Sequence, residues 1–162
     1  MDKNTSFPQL SDIQTVFLVT LRVFIGWHFL YEGLVKILDP NWSSFEYLMD
    51  SKGIFSAVFE SMASNPGVLK IVDFMNIWGL ILIGAGLILG IFTKFSTISG
   101  IILLLLYFLS HPPFPGLEYI MSQEGNYFFV NKTLVETLAL AVLYVFPTGH
   151  IIGIDRIIFK LT

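Results

Sequence analysis

The fold is decided by the stretch Leu21-Arg22-Val23-Phe24-Ile25-Gly26-Trp27-His28-Phe29-Leu30-Tyr31-Glu32-Gly33-Leu34-Val35-Lys36-Ile37, an apolar run that carries four basic or acidic side chains. These side chains are Arg22, His28, Glu32 and Lys36. The run predicts a first membrane span over residues 14–38. At about 100° per residue, the four side chains lie within an arc of roughly 120° on one helix face. We therefore expect a polar stripe facing away from lipid, and ionisable groups in such a place are candidates for function.

The composition indicates an integral membrane protein. Of the 162 residues, 54% are hydrophobic and 13% are charged, and the mean hydropathy is +0.74. Soluble domains have more charged and fewer apolar residues. Further apolar stretches predict spans over 71–92, 95–111 and 129–147. Residues 1–162 should then form a single all-α domain, an antiparallel bundle of four transmembrane helices in a lipid bilayer.

The first long loop predicts an additional helix. Ile54, Phe55, Val58, Phe59 and Met62 recur at helical spacing between two turn sequences, which favours an interfacial helix along the membrane surface. The segments on the two sides of the membrane carry nearly equal numbers of Lys and Arg residues. Because long loops count less in the positive-inside rule, we expect both termini in the cytoplasm.

Charge and cysteine content exclude several classes of function. The net charge is −3, and Lys and Arg are scattered singly, which argues against nucleic-acid binding. The chain has no cysteine, which excludes disulfides, thiolate catalysis, Cys-ligated zinc and Cys-held iron–sulfur clusters. Redox chemistry would therefore need a bound cofactor or a diffusible carrier.

Antiparallel threading brings the unusual polar residues to one membrane face, where spans one and three end and spans two and four begin. The candidate catalytic residues are Glu32, His28 and Glu136, because carboxyl and imidazole groups in a low dielectric can carry protons. Convergence at one depth is what a ligand site requires. The candidate quinone- or substrate-binding residues are Arg22, Lys36, Asn76, His111 and Asn131.

Other interpretations of the stripe remain open. It could be structural, with Arg22 offsetting one glutamate and with Lys36 and Lys132 pairing at i,i+4 with Glu32 and Glu136. The protein would then be a non-catalytic membrane scaffold. The same polar pocket could also bind a small molecule or a lipid without any redox change.

Metal chemistry is a weaker alternative. His28 and His111 could ligate haem, although they should differ in depth by more than a helical turn. A divalent metal on His28, Glu32 and Glu136 is also conceivable. We assign no metal site from the sequence.

Several segments resemble the DoxX/DoxD family. The run 21–37 is similar to the first helix of that family, whose Arg, Gly and Gly-x-x-Lys positions coincide with Arg22, Gly26, Gly33 and Lys36. Three further stretches resemble the turn after the second helix, the fourth helix and the tail. They are Gly90-Ile91-Phe92-Thr93-Lys94, Asn131-Lys132 with Glu136-Thr137-Leu138-Ala139-Leu140, and Pro147-Thr148-Gly149-His150 with Ile154-Asp155.

The resemblance implies a four-helix membrane protein. The best-described DoxD relatives form, with a second subunit, a thiosulfate:quinone oxidoreductase that oxidises thiosulfate to tetrathionate. The resemblance therefore implies a membrane subunit of a quinone-linked oxidoreductase in a bacterial or archaeal cytoplasmic membrane. Quinone would be the diffusible electron carrier, and a second redox subunit would be the partner. In this interpretation Glu32 and His28 handle protons, and Arg22 holds a carboxylate or a quinone oxygen.

Overall fold

The computed structural model describes residues 10–120 and 128–158, and the secondary-structure elements in these two ranges are helices. They are α1 (Asp12–Leu38), α2 (Phe45–Met49), α3 (Ser56–Ser64), α4 (Pro66–Leu89), α5 (Thr93–Ser110), α6 (Lys132–Val145) and α7 (Asp155–Ile158). Three of them, α1, α4 and α5, are long and apolar enough to cross a membrane. The all-α prediction is confirmed, and these three helices correspond to the first three predicted spans.

Capping residues explain where the long helices begin and end. Ser11 and Gln14 form a capping box at the start of α1. The side chain of Asn65 accepts hydrogen bonds from the first backbone N–H groups of α4, and Pro66 follows at a helix position that needs no N–H donor. This helix therefore begins at residue 66, before the predicted 71, because Asn-Pro-Gly starts the helix instead of closing the loop. Gly90, with a φ of 66°, ends it in the left-handed conformation.

The fourth helix of the predicted bundle is shorter than expected. The sequence predicted a span over 129–147, but α6 covers 14 residues. At about 1.5 Å per residue it is about 21 Å long, whereas the hydrocarbon core is about 30 Å thick. Asn131 caps its first turn through a hydrogen bond from Leu134 N, and Pro147 disfavours a helical Phe146. A fourth membrane crossing accordingly remains a proposal.

The first long loop contains two short helices instead of one. Gly53, with a φ of 92°, lies between α2 and α3. Val58, Phe59 and Met62 belong to α3, whereas Ile54 and Phe55 precede it. The helical spacing in this loop was predicted correctly in part, and the interfacial placement stays a prediction.

Close contact between α1 and α4 organises the core. A Cβ atom added at Gly84 would lie 2.6 Å from the carbonyl oxygen of Gly26 and 2.8 Å from the Cα of Leu30. The two backbones therefore touch, as small residues permit in membrane helices. Helix α6 packs mainly on α5 and less extensively on α1. The buried core joins these four helices through Ile25, Phe29, Leu80, Ile83, Leu87, Leu104, Leu140 and Leu143.

Candidate functional site

His28 of α1 and Glu136 of α6 form a direct polar contact between these two helices. His28 Nδ1 lies 2.7 Å from Glu136 Oε1, and the side chains are 35% and 11% exposed, respectively. One proton lies in this short contact, and Nε2 of the ring can accept or release another. The pair can thus take up and give up a proton without losing its hydrogen bond.

This pair lines a cavity of about 240 Å³. Its walls come from α1, α2, α4, α5 and the start of α6, and five of the eight predicted site residues line it. The polar lining residues are His28, Glu32, Lys36, Tyr47, Tyr107, Asn131, Lys132, Thr133 and Glu136. Phe29, Leu80 and Leu104 supply apolar walls. The predicted convergence of His28, Glu32 and Glu136 at one place is therefore present.

Glu32 is the more exposed of the two carboxylates that line this cavity. Its side chain is 48% exposed, and Oε2 lies 3.8 Å from Lys36 Nζ. The i,i+4 pairing considered from the sequence is therefore present, although such a partly exposed ion pair contributes little to stability. Glu32 differs in this respect from Glu136, which is mostly buried.

A second cavity of about 600 Å³ adjoins the first, because Glu32, Lys36, Tyr47 and Tyr107 line both. Asn76 lines the second one. Its side chain accepts a hydrogen bond from Lys36 Nζ at 3.2 Å and donates one to the Tyr107 hydroxyl at 2.6 Å. Lys36 and Asn76 thus belong to the predicted site, joined through a tyrosine that the sequence analysis did not identify.

Arg22 lies outside this site, so its predicted role with a carboxylate or a quinone oxygen stays a prediction. Its side chain is buried, and it donates hydrogen bonds to Thr148 Oγ1 at 3.0 Å and to the Ile152 carbonyl oxygen at 2.7 Å. Neither cavity is lined by Arg22. Its partners are residues of the segment after α6, so a shared helix face was not enough to place it beside Glu32.

The same tail carries Asp155, which holds the turn between α4 and α5. Its carboxylate accepts hydrogen bonds from the backbone N–H groups of Phe92 and Thr93 and from the Thr93 hydroxyl, at 2.7, 3.0 and 2.7 Å. Burial favours the neutral carboxyl group, but these hydrogen bonds outweigh it and lower the pKa of Asp155. Arg22 and Asp155 therefore fasten the segment after α6 to the rest of the helices.

His111 also lies outside the cavities. Its ring stacks on Tyr47 at a centroid distance of 4.0 Å and packs against Tyr119 at 4.8 Å, while Nε2 is 4.0 Å from Asp50 Oδ2. Burial lowers the pKa of His111 to about 4, Asp50 partly opposes this shift, and Lys52 adds to it. Burial also raises the pKa values of the two tyrosines. The predicted binding role of His111 is not supported by this position, since the residue joins two loops.

Metal binding finds no geometric support in the described ranges. No group of three or more His, Asp or Glu side chains there could hold a metal ion, and this covers His28, Glu32 and Glu136. His28 lines a cavity that His111 does not line, so the two rings do not face a common haem site.

Sequence reasoning missed Tyr47 and Tyr107, which line both cavities. A signal existed for Tyr107, because a phenol within an apolar span needs a hydrogen-bond partner. Tyr47 lies in the first loop, and its approach to the bundle depends on tertiary packing. Asn131 caps α6 through its side-chain oxygen and also borders the cavity, so its predicted position is supported.

Comparison with known proteins gives one match. The family model described as DoxX matches residues 17–112, which include most of α1 and all of α4 and α5. No curated protein and no solved structure matches the chain. Glu136 and the tail lie beyond the matched residues.

Proposed function

Because this chain belongs to the DoxX family and has three helices of membrane-spanning length, we propose that it is the membrane subunit of a quinone-linked oxidoreductase. Quinone is the substrate and diffusible electron carrier, and its ring enters the cavity lined by His28 and Glu136. The observation that carries this proposal is the 2.7 Å contact between these two side chains at a cavity wall. Reduction of quinone to quinol consumes two electrons and two protons, and this pair can deliver protons.

The remaining cavity residues have complementary roles. Glu32, which is about half exposed, passes protons between the outside and the His28–Glu136 pair. Lys36 stabilises the negative charge that develops on a ring oxygen when electrons arrive before protons. Asn131 borders the same space at the first turn of α6. Phe29, Leu80 and Leu104 add the apolar surface against which a small-molecule ring can pack.

Electrons come from a second redox subunit. In the thiosulfate:quinone version, two thiosulfate ions lose one electron each and join as tetrathionate, and the two electrons reduce one quinone. Cavity residues of this chain contribute the proton side of the reaction and not the sulfur chemistry.

The proposal includes a topology. Helix α6 and the residues flanking it make a fourth crossing, so that residues 1–162 form one antiparallel four-helix domain with both termini in the cytoplasm. The membrane is the cytoplasmic membrane of a bacterium or an archaeon. Loop one then lies on the outer side.

The test uses two preparations. Protein purified in lipid nanodiscs serves for ligand extraction, and membranes that contain the partner subunit serve for electron transfer. Mass spectrometry of extracted small molecules should find a quinone in the wild-type protein. Glu136→Gln keeps an acceptor for His28 but loses a proton site, and we expect quinone-dependent electron transfer to fall by about 10²–10⁴-fold. Glu60→Gln, an exposed change on α3, is the matched control. Unchanged turnover in Glu136→Gln would refute the proton role.

A second candidate, a non-catalytic scaffold, is favoured by Arg22. This intramembrane charge serves a structural purpose, because its hydrogen bonds hold the tail residues Thr148 and Ile152. Under this alternative no quinone is extracted, and Glu136→Gln lowers thermal stability without a change in electron transfer. Extraction of a non-reducible lipid or small molecule would instead favour a binding protein without redox activity.

A further inference from the structure

Tyr107 has a hydroxyl proton that the described residues do not use. The hydroxyl oxygen accepts a hydrogen bond from Asn76 Nδ2 at 2.6 Å. In the described ranges, 10–120 and 128–158, no acceptor lies within hydrogen-bond distance of its own proton. Tyr107 is partly buried and lines both cavities. A phenol buried beside a cavity usually donates its proton, so a partner is expected in the cavity.

The direction of the Asn76 hydrogen bond is fixed by Lys36. An ammonium group only donates, so the amide atom 3.2 Å from Lys36 Nζ has to be the oxygen. The amide nitrogen must then face Tyr107, and it can only donate. The tyrosine oxygen is consequently the acceptor, and its O–H bond turns away from Asn76.

The charge of Lys36 makes the Tyr107 hydroxyl a stronger hydrogen-bond donor. Hydrogen bonds run from Lys36 to Asn76 and from Asn76 to Tyr107, and each bond in such a chain polarises the next. Lys36 Nζ also lies 5.8 Å from the centre of the Tyr107 ring. The phenol proton thereby becomes a better partner for an acceptor oxygen.

We infer that Tyr107 is a ligand-recognition residue whose hydroxyl donates a hydrogen bond to a carbonyl oxygen of the molecule in the cavity. The inference deepens the proposed function and rests on it. His28 and Glu136 line the same cavity, so a ring with carbonyl groups at opposite ends can meet a proton carrier at one end and Tyr107 at the other. This arrangement selects a dicarbonyl ring over a hydrocarbon or a simple alcohol.

The experiment is infrared difference spectroscopy on the full chain in nanodiscs. The probe is a short-chain 1,4-benzoquinone with ¹³C at both carbonyl carbons. In wild-type protein, we expect at least one carbonyl band at lower frequency than in lipid alone. Tyr107→Phe should return that band to the lipid value and raise the Kd on the order of 10-fold, the usual effect of one hydrogen bond.

Tyr144→Phe is the matched control for the band position. Tyr144 lies on α6, is 43% exposed and lines neither cavity. Removal of its hydroxyl should leave the carbonyl bands where they are. A change in both variants would indicate a general repacking effect and overturn the specific role of Tyr107.

The outcomes separate this inference from the function on which it rests. Binding of the probe with unshifted carbonyl bands in wild-type protein overturns the inference, whether or not Tyr107→Phe folds, and leaves the quinone site intact. If the probe binds with the same band shift in wild type and in Tyr107→Phe, the inference is also overturned and the quinone site is again left intact. Failure of the wild-type protein to bind the probe overturns both.

Discussion

Acid should destabilise this protein through His111, because the imidazole ring is buried between two tyrosine rings. The ring is 3% exposed and lies between Tyr47 and Tyr119. Burial lowers its pKa from 6.5 to about 4. The folded protein therefore keeps this imidazole neutral at a pH where the unfolded chain protonates it. We propose His111→Phe as the perturbation, because it keeps an aromatic ring and removes the titration.

The magnitude follows from proton linkage. Between pH 6.5 and about 4 the unfolded state binds more protons at this residue than the folded state, so the free energy of unfolding decreases as the pH falls. One pKa unit corresponds to about 1.4 kcal/mol, so the full shift corresponds to about 3 kcal/mol. The contribution is complete above pH 6.5, is lost through this window and changes no further below about 4.

The assay is urea or thermal unfolding of detergent-solubilised protein at pH values from 4 to 8. His111→Phe should flatten the pH dependence between 4 and 6.5 relative to wild type. His28 is present in both proteins, so the difference between the curves isolates His111. His150→Gln, an exposed histidine, should retain the wild-type slope. Equal slopes for wild type and His111→Phe would refute the reasoning.

Three further predictions concern stability and turnover. Gly84→Ala should lower the free energy of unfolding by about 1–3 kcal/mol, because its Cβ would meet the backbone of α1; Gly79→Ala, whose Cβ meets nothing within 4 Å, should have no such effect in the same denaturation assay. Asp155→Asn should lower the free energy of unfolding by about 2–3 kcal/mol, because its hydrogen bonds to Phe92 and Thr93 lose their charge. The measurement is the melting temperature, and an unchanged value would contradict the stabilising role of Asp155. Glu32→Gln should change the free energy of unfolding by less than about 1 kcal/mol yet abolish quinone-dependent turnover, and normal turnover would remove Glu32 from the proton path.

The sequence predicted the long helices well because hydrophobic length is a direct physical requirement of a membrane. It predicted their ends less well. Asn65 and Pro66 looked like loop residues, although together they cap and start α4. The reach of α6 was overestimated because Phe128 and Phe129 continue the apolar pattern, while only the cap at Asn131 determines where the helix begins.

Part of the candidate site was also predictable. His28, Glu32 and Glu136 converge because antiparallel threading fixes which helix ends share a face. The partners of Arg22 were not predictable, because a helix face does not specify which distant segment returns to it. Its partners Thr148 and Ile152 lie in an irregular tail, and no periodic pattern predicts where such a tail docks.

The hydrogen bonds of Arg22 to Thr148 and Ile152 affect the order in which the chain can fold during synthesis. Arg22 and Thr148 are 126 positions apart, so at a translation rate of about 5–20 residues per second roughly 6–25 s separate their exits from the ribosome. During that interval the newly inserted first helix carries a guanidinium group whose permanent acceptors do not yet exist, a state that membranes disfavour. The first helix is therefore fully paired only after residues 148–152 have been made, and a chain terminated before them would leave this charge without these acceptors.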